Sequence, residues 1–342
     1  MSNIKVTIGI PVYNSEAHIS TCLDSIINQT MPQHEIEVIA VNDGSTDSSG
    51  DVLEEYAAKY HNITVHHQEN TGGPGSPRNY MIQHAAGEFI FFVDVDDYLG
   101  PEAVDRMYEM GKENDTDIII GKFTGVNGRG VAKFKKTQPK TTVFESSVLN
   151  AIGPTKMFRR SFLLKNNIYF PVGVCTAEDQ PFMVKAYILA SGISIVGDYP
   201  CYYVVNHTNK EHASMIPVNP EEYYKTLEAS LRIIRHYVKD EEKKNLLIAK
   251  YLNKELITGR SILFAGSEMP IQEKAVWLKE LNKFLAKWVN SKIERQLTDS
   301  KQAFLSFARD RNLTKMREYK VTINEERTPA ATVGAGYPVS SG

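Results

Sequence analysis

Gly87-Glu88-Phe89-Ile90-Phe91-Phe92-Val93-Asp94-Val95-Asp96-Asp97-Tyr98 is the stretch whose reading decides the fold. Residues 89–93 form an unbroken apolar run, the pattern of a strand buried on both faces. Three carboxylates then fall within four positions, and an apolar sheet cannot hold them, so the strand must end there. Open α/β sheets bind ligands at the carboxyl ends of such central parallel strands. Asp94 and Asp96 are two apart, so they share a face for as long as the strand persists. Like charges on one face repel unless a cation intervenes. A divalent ion carrying a phosphate is the economical answer, because hard cations bind through one or two carboxylates plus substrate phosphates. A solvated acidic turn is the competing reading, and Asp-x-Asp alone does not decide between them.

Outward from that stretch, the order on the N-terminal side is β-α-β-α-β. Residues 5–12 read as a strand, broken by Pro11-Val12-Tyr13-Asn14-Ser15, and residues 18–29 have helical apolar spacing (Ile19, Cys22, Leu23, Ile26, Ile27). Residues 35–41 are a second buried strand. Asn42-Asp43-Gly44-Ser45-Thr46-Asp47 is a turn and helix cap, a helix follows to about residue 60, and residues 63–67 are a third strand. That order implies a parallel sheet with right-handed crossovers, the nucleotide-binding half of a doubly wound fold. Gly72-Gly73-Pro74-Gly75-Ser76-Pro77-Arg78-Asn79 reads as an extended loop, with Arg78 and Asn79 opening a helix to residue 86. Such a loop, with a cation at a helix N-terminus, suits a phosphate; a plain turn with a surface Arg is the alternative. It is not a Walker loop, because the Gly-Lys-Ser/Thr ending is missing.

Beyond the acidic cluster, residues 101–112 read as helix, 118–121 as strand and 124–140 as a mobile or ligand-covering loop. A strand–helix passage follows over 156–164. Ala177-Glu178-Asp179-Gln180 heads a helix over 181–190, where the carboxylates could simply serve the helix end. Residues 194–205 are strand-like, and 206–216 form a polar loop with His207 and His212. From about residue 220 the texture becomes helical. The face from Trp277 to Trp288, with Val276, Leu278, Leu281, Phe284 and Leu285, reads as core. Lys250 and Lys254 share a helix face at i, i+4, ordinarily a solvated one. Residues 328–342 are rich in Pro, Ala, Gly, Ser and Thr and are expected to be disordered. The expected organisation is an α/β domain over 1–218, with a nucleotide-binding half (1–98) and a second half (99–218). A helical appendage over 219–320 and a tail over 321–342 complete it.

The 342 residues suffice for a large α/β domain plus a smaller one. A net charge of −2 gives no basic field for a nucleic-acid partner. Cys22, Cys175 and Cys201 form no CxxC pair, which argues against a zinc site or disulfide framework and for a reducing cytoplasm. No apolar run is long enough to span a membrane, so any membrane association would be peripheral, at the cytoplasmic face.

Several separated motifs resemble the family 2 inverting glycosyltransferases of GT-A fold. They are Ile8-Gly9-Ile10-Pro11-Val12-Tyr13-Asn14, Ser25-Ile26-Ile27-Asn28-Gln29-Thr30, Asn42-Asp43-Gly44-Ser45-Thr46-Asp47, Arg78-Asn79 and the run from Gly87 to Asp97. The glycine-rich loop, Gly125-Val126-Asn127-Gly128-Arg129-Gly130-Val131, Pro154-Thr155-Lys156 and Ala177-Glu178-Asp179-Gln180 are similar to one branch. That branch is the wall teichoic acid poly(ribitol-phosphate) glycosyltransferases of the TarS and TarP type. The resemblance implies that Pro11, Tyr13 and Asp43, with Asn70 beside them, hold the uracil and ribose of a UDP-sugar. It places Arg78 by the diphosphate or sugar, Asp94 on hydroxyls, Asp96 on Mn²⁺ or Mg²⁺, and Arg129 and His212 among the donor contacts. Asp179 would be the catalytic base, with Glu178 beside it. The family often has Asp at the position of Asn42 and Gly at that of Met81.

The expected chemistry follows. A cation offsets the charge growing on the leaving UDP, so only one acid–base residue is needed, to take the proton of the attacking hydroxyl. Attack from the far side inverts the anomeric centre and gives a β-glycoside, with GlcNAc the favoured sugar. A polyanionic teichoic acid acceptor would need local cations: Lys133, Lys135 and Lys136, or Lys250, Lys254 and Arg260. Some members of the branch carry an oligomerisation module, which keeps a homo-oligomer among the expectations. The alternatives are a family 2 transferase acting on a capsule, glycolipid or other surface glycan, and a non-catalytic UDP-sugar-binding or scaffold protein. A nucleotidyltransferase would need a basic glycine-rich loop where Pro11-Val12-Tyr13-Asn14 stands, and a processive synthase would need membrane spans and Gln-x-x-Arg-Trp.

Overall fold

The computed structural model describes residues 4–174, 177–207, 219–257, 263–267 and 269–319. The chain divides into two compact units, Met1–Ile248 and Ala249–Gly342.

The first unit is built on one mixed sheet. Its strands are β1 (Val6–Val12), β2 (Ile36–Asp43), β3 (Ile63–Gln68), β4 (Phe89–Phe92), β5 (Tyr98–Leu99), β6 (Ile118–Val126), β7 (Gln138–Thr141), β8 (Met157–Arg159) and β9 (Ile193–Val205). They run in the order β3-β2-β1-β4-β8-β6-β9-β5, with β7 on β9. The four strands β3, β2, β1 and β4 are mutually parallel, and β4 meets β8 antiparallel. The order reverses between β1 and β4, a switch point of the kind that opens a ligand crevice at the strands' carboxyl ends. Every residue of β4 is buried, as expected for a central strand covered on both faces.

Helices α1 (Glu16–Ile27), α2 (Ser49–Lys59), α3 (Gly75–His84) and α4 (Ala103–Glu113) cover the sheet, followed by α5 (Arg160–Lys165), α6 (Asp179–Leu189) and α7 (Pro220–Tyr237). Asn219 caps α7 by accepting from the amides of Glu221 and Glu222, and Pro220 takes the first helical position, where its missing N–H costs nothing. The buried face of α7, including Tyr223, Leu227 and Leu231, packs with α6, so compactness extends past residue 219 to Ile248.

Some expectations change here. The glycine-rich segment is not extended throughout: α3 starts at Gly75, so Arg78 lies inside the first helical turn rather than opening the helix. Pro77 fits because the first N–H groups of a helix have no intrahelical partner. Strand β6 continues to Val126, past residue 121, because β9 pairs with it across register shifts at Gly121, Lys122 and Phe123. The segment 124–140 is therefore strand at both ends, and Phe134 is buried between exposed Lys133 and Lys135.

The second unit is helical. After α8 (Glu241–Leu252), which spans the division, a π turn (Asn253–Ile257) leads on to α9 (Leu263–Gly266), α10 (Ile271–Trp288), α11 (Ser291–Glu294) and α12 (Asp299–Arg309). Trp277, Leu278, Leu281, Phe284, Leu285 and Trp288 are buried, but Val276 is 49% exposed and falls off that core face. Asn282 ties α10 to α12 by donating to the Ala308 carbonyl at 2.9 Å. The π turn begins between Lys250 and Lys254, so the helical i, i+4 spacing does not apply to that pair.

Candidate active site

The loops after β1, β2 and β3 form one wall of the crevice, and many separate side-chain bonds lace them together. Asn14, at φ 45°, accepts from the Thr46 amide at 2.8 Å, and its own amide donates to the Ser45 hydroxyl at 3.0 Å. Ser15 N–H donates to the Ser49 hydroxyl at 2.8 Å. Asp43 is buried, and its carboxylate accepts from the Gln68 amide at 2.6 Å and from the Thr71 hydroxyl at 2.9 Å. Gly44 has φ +71°, and a Cβ there would lie 2.6 Å from the Asn70 nitrogen, so only glycine fits. Pro11 ends the wall half-buried, Asn70 is exposed, and Tyr13 presents a ring that is 51% exposed, suited to stacking on a planar base. Asn42 orders the turn by accepting from the Ser45 amide at 3.1 Å, with its own amide 2.9 Å from His67 Nδ1.

The acidic stretch leaves the sheet at once. β4 ends at Phe92, and the Asp97 amide donates to the Asp94 carbonyl at 3.1 Å, closing a turn. The strand does not persist to Asp96, so the same-face expectation for Asp94 and Asp96 is superseded: a turn sets their directions. Asp94 pairs with Arg78 at 2.8 Å, and the same guanidinium reaches Glu178 at 3.1 Å. Arg78 is 4% exposed. Burial works against its charge, but Asp94 and Glu178 outweigh that and hold it protonated. Arg78 is thus a buried strut between the acidic turn and the head of α6, not a surface cation. Glu178 caps nothing with its side chain; it is committed to Arg78. Asp179, the first residue of α6, is half-buried beside it.

Asp96 is half-buried, and its carbonyl lies 2.9 Å from His207 Nε2, while the His207 ring sits 4.1 Å from that of His18. Asp97 is buried and accepts from the Val205 amide at 2.9 Å. Burial, with the charges of Asp94 and Asp96, pushes its carboxyl up to about 8. The three carboxylates thus crowd one turn closely enough to disfavour their all being ionised. Among the described residues no cluster of three or more His, Cys, Asp or Glu is arranged to hold a metal ion. A turn with this density of carboxylates has the chemistry to take a hard cation whose other ligands are phosphate oxygens.

Arg129 is half-buried in a tight turn, where its N–H donates to Val126 at 3.1 Å. The turn is fastened to the end of β9 by Asn127 and Asn206, which exchange side-chain-to-carbonyl bonds at 3.4 and 3.2 Å. Lys133, Lys135 and Lys136 are exposed. Lys250 and Lys254 belong to the second unit; burial lowers the pKa of Lys250, and Lys254 lies 3.9 Å from Glu255. His212 and Arg260 lie outside the described residues. Sequence reasoning gave no role to His18, His207, Tyr202 or Lys156. Tyr202 accepts from the Asp94 amide at 3.0 Å, a contact between residues 108 apart that leaves no local signal.

A parallel half-sheet with a base-sized aromatic at its crevice, an acidic turn at the switch point and a carboxylate-headed helix make an α/β fold of the nucleotide-binding type. Residues 7–184 match the family model for glycosyl transferase family 2, and residues 220–320 match that for the glycosyl transferase TarS linker domain. The chain belongs to glycosyltransferase family 2. It is 44% identical, over 82% of its length, to a poly(ribitol-phosphate) beta-glucosyltransferase of Bacillus spizizenii, covering 45% of that protein. It is 33% identical, over 92% of its length, to poly(ribitol-phosphate) beta-N-acetylglucosaminyltransferase TarS of Staphylococcus aureus, covering 55% of it. The chain thus spans about half the length of these two relatives. The crystal structure of S. aureus TarS 1–349 in complex with UDP-GlcNAc superposes with a TM-score of 0.85 at 33% identity, covering 94% of this chain and 92% of that one. The GT-A arrangement is shared, and among the described residues no helix is long and apolar enough to cross a membrane.

Proposed function

We propose that this chain transfers a sugar from a UDP-sugar to a hydroxyl of poly(ribitol phosphate) wall teichoic acid, with inversion to a β-glycoside, at the cytoplasmic face of the membrane. The observation that carries the reading is the Arg78 strut. It ties the acidic turn that would face the donor diphosphate to the helix whose first residue is Asp179. Tyr13 stacks on the uracil, with Pro11, Asp43 and Asn70 shaping the ribose side. Asp94, oriented by Arg78, accepts from hydroxyls of the donor. Arg129 lies on the turn fastened beside His207 and faces the diphosphate. Asp96 would hold Mn²⁺ or Mg²⁺, which supplies charge neutralisation for the departing diphosphate. Asp179 takes the proton of the acceptor hydroxyl as it attacks C1 from the side opposite UDP. Exposed Lys133, Lys135 and Lys136 offer cations to a phosphate polymer.

GlcNAc is favoured as the sugar by the likeness to TarS. Glucose is the second reading, favoured by the 44% identity to the Bacillus glucosyltransferase. The test is UDP release from UDP-GlcNAc and from UDP-glucose, with Mn²⁺, with and without poly(ribitol phosphate). The donor with the larger polymer-dependent release is the substrate. Asp179→Ala is expected to lose at least about 100-fold of that release while binding UDP as the wild type does. Release that is indifferent to the polymer would move the acceptor to another surface glycan.

A further inference from the structure

Asn79 follows the Arg78 strut on α3 and holds a different part of the chain. Its half-buried side chain meets the backbone of Phe170 twice. Its Nδ2 donates to the Phe170 carbonyl at 2.9 Å, and its Oδ1 accepts from the Phe170 N–H at 2.8 Å. The pair of bonds copies the way one strand residue grips its opposite number. One turn earlier on α3, a Cβ on Gly75 would lie 2.8 Å from the Pro171 carbonyl oxygen, so residues 170 and 171 are held close against this helix.

Phe170 passes that hold to α6. Its buried ring lies face to face with that of Phe182, 3.8 Å between centres and 8° between planes. Both rings stand edge-on to Phe92, the last residue of β4. Phe182 is on α6, one turn after Asp179. The head of α6 is thus fastened to α3 at two points: the ion pair of Arg78 with Glu178, and the route from Asn79 through Phe170 to Phe182. One fastening fixes a point on a helix. A second, a turn away, fixes the direction of its axis.

We propose that Asn79 is a positioning residue for the transfer: by gripping the Phe170 backbone it fixes the Phe170–Phe182 stack, and the stack sets where the first turn of α6 holds Asp179. This rests on the reading of Asp179 as the base. The bonds that lace the loops after β1, β2 and β3 run through other residues. Loss of the Asn79 grip should therefore fall on the chemical step and spare the nucleotide.

The experiment sets kcat for UDP release on poly(ribitol phosphate), from UDP-GlcNAc and from UDP-glucose, beside the Kd for UDP by calorimetry, all on the full chain. N79A should lower kcat with the faster donor by about tenfold, because a small displacement of a reacting group is costly. Its Kd for UDP should equal that of the wild type. An unchanged kcat, or a loss of kcat matched by an equal loss of UDP affinity, overturns the inference. If N79A does not fold, N79D replaces it. A neutral carboxyl donates and accepts as the Asn amide does, whereas a carboxylate only accepts and sets its charge against the Phe170 carbonyl. The ratio of N79D to wild-type kcat should therefore rise as the pH falls, and a flat ratio overturns the inference. D179N that transfers at the wild-type rate overturns both the base assignment and this inference. An inactive D179N together with an unchanged kcat in N79A overturns this inference alone.

Discussion

The wall that faces the nucleotide and the cluster around Arg78 hold their shapes by different means. In the wall, Asn14, Asn42, Ser45, Ser49 and Thr71 bond with backbone amides, with one another and with the Asp43 carboxylate, and several independent bonds fasten the loops. In the cluster, one buried cation holds the acidic turn to the head of α6. Arg78 alone spans Asp94 and Glu178. The contrast teaches where the molecule is brittle. A lost neutral bond leaves partners that can use water or a neighbour. A lost buried ion strands the charges that remain.

The largest expected effect lies in the cluster. Arg78→Met should cost about 3 kcal/mol of stability, at the low end for breaking a buried pair because Asp94 is partly exposed. It should also abolish transfer, since α6 loses its tie to the acidic turn. Thermal unfolding beside UDP release checks both, and a variant as stable as the wild type would erase the contrast. Gly44→Ala comes next, because it forces a left-handed backbone and a close approach to Asn70. It should cost about 2 kcal/mol and weaken UDP binding, as read by denaturant unfolding and calorimetry. Thr71→Ala should cost only about 1 kcal/mol, because Gln68 still serves Asp43. A loss from Thr71→Ala as large as that from Arg78→Met would show that the wall is not redundant.

The two regions also differ in how legible they were. The strands β1 to β4 follow from apolar runs and their connecting helices, and the crevice follows from where those runs stop. The wall's turn residues announce themselves, since Asn-Asp-Gly-Ser has few other uses. Met81, a departure from the family's pattern, has a packing reason: a Cβ on Gly9 would sit 2.7 Å from its sulfur, so the small residue stands on the strand instead of the helix. The start of α3 was misread because glycines and prolines look like loop, whereas a first helical turn accepts them. The direction of the acidic residues was misread because two-residue periodicity was carried past the end of the strand.

The sequence by itself determined that a buried parallel strand ends in carboxylates, that its neighbours make a nucleotide-type half-sheet, and that helices follow from about residue 220. These are local facts, written in apolar period and turn chemistry. Only the tertiary structure decided that Arg78 is buried between Asp94 and Glu178 rather than exposed on the surface, and that Lys156 is wholly buried. It also decided that His207 lies against Asp96. Arg78 meets Glu178 across 100 residues of chain and His207 meets Asp96 across 111. No local pattern encodes a partner at that distance. It is the closing of the sheet between β4, β8, β6 and β9 that brings these side chains together and takes away their water.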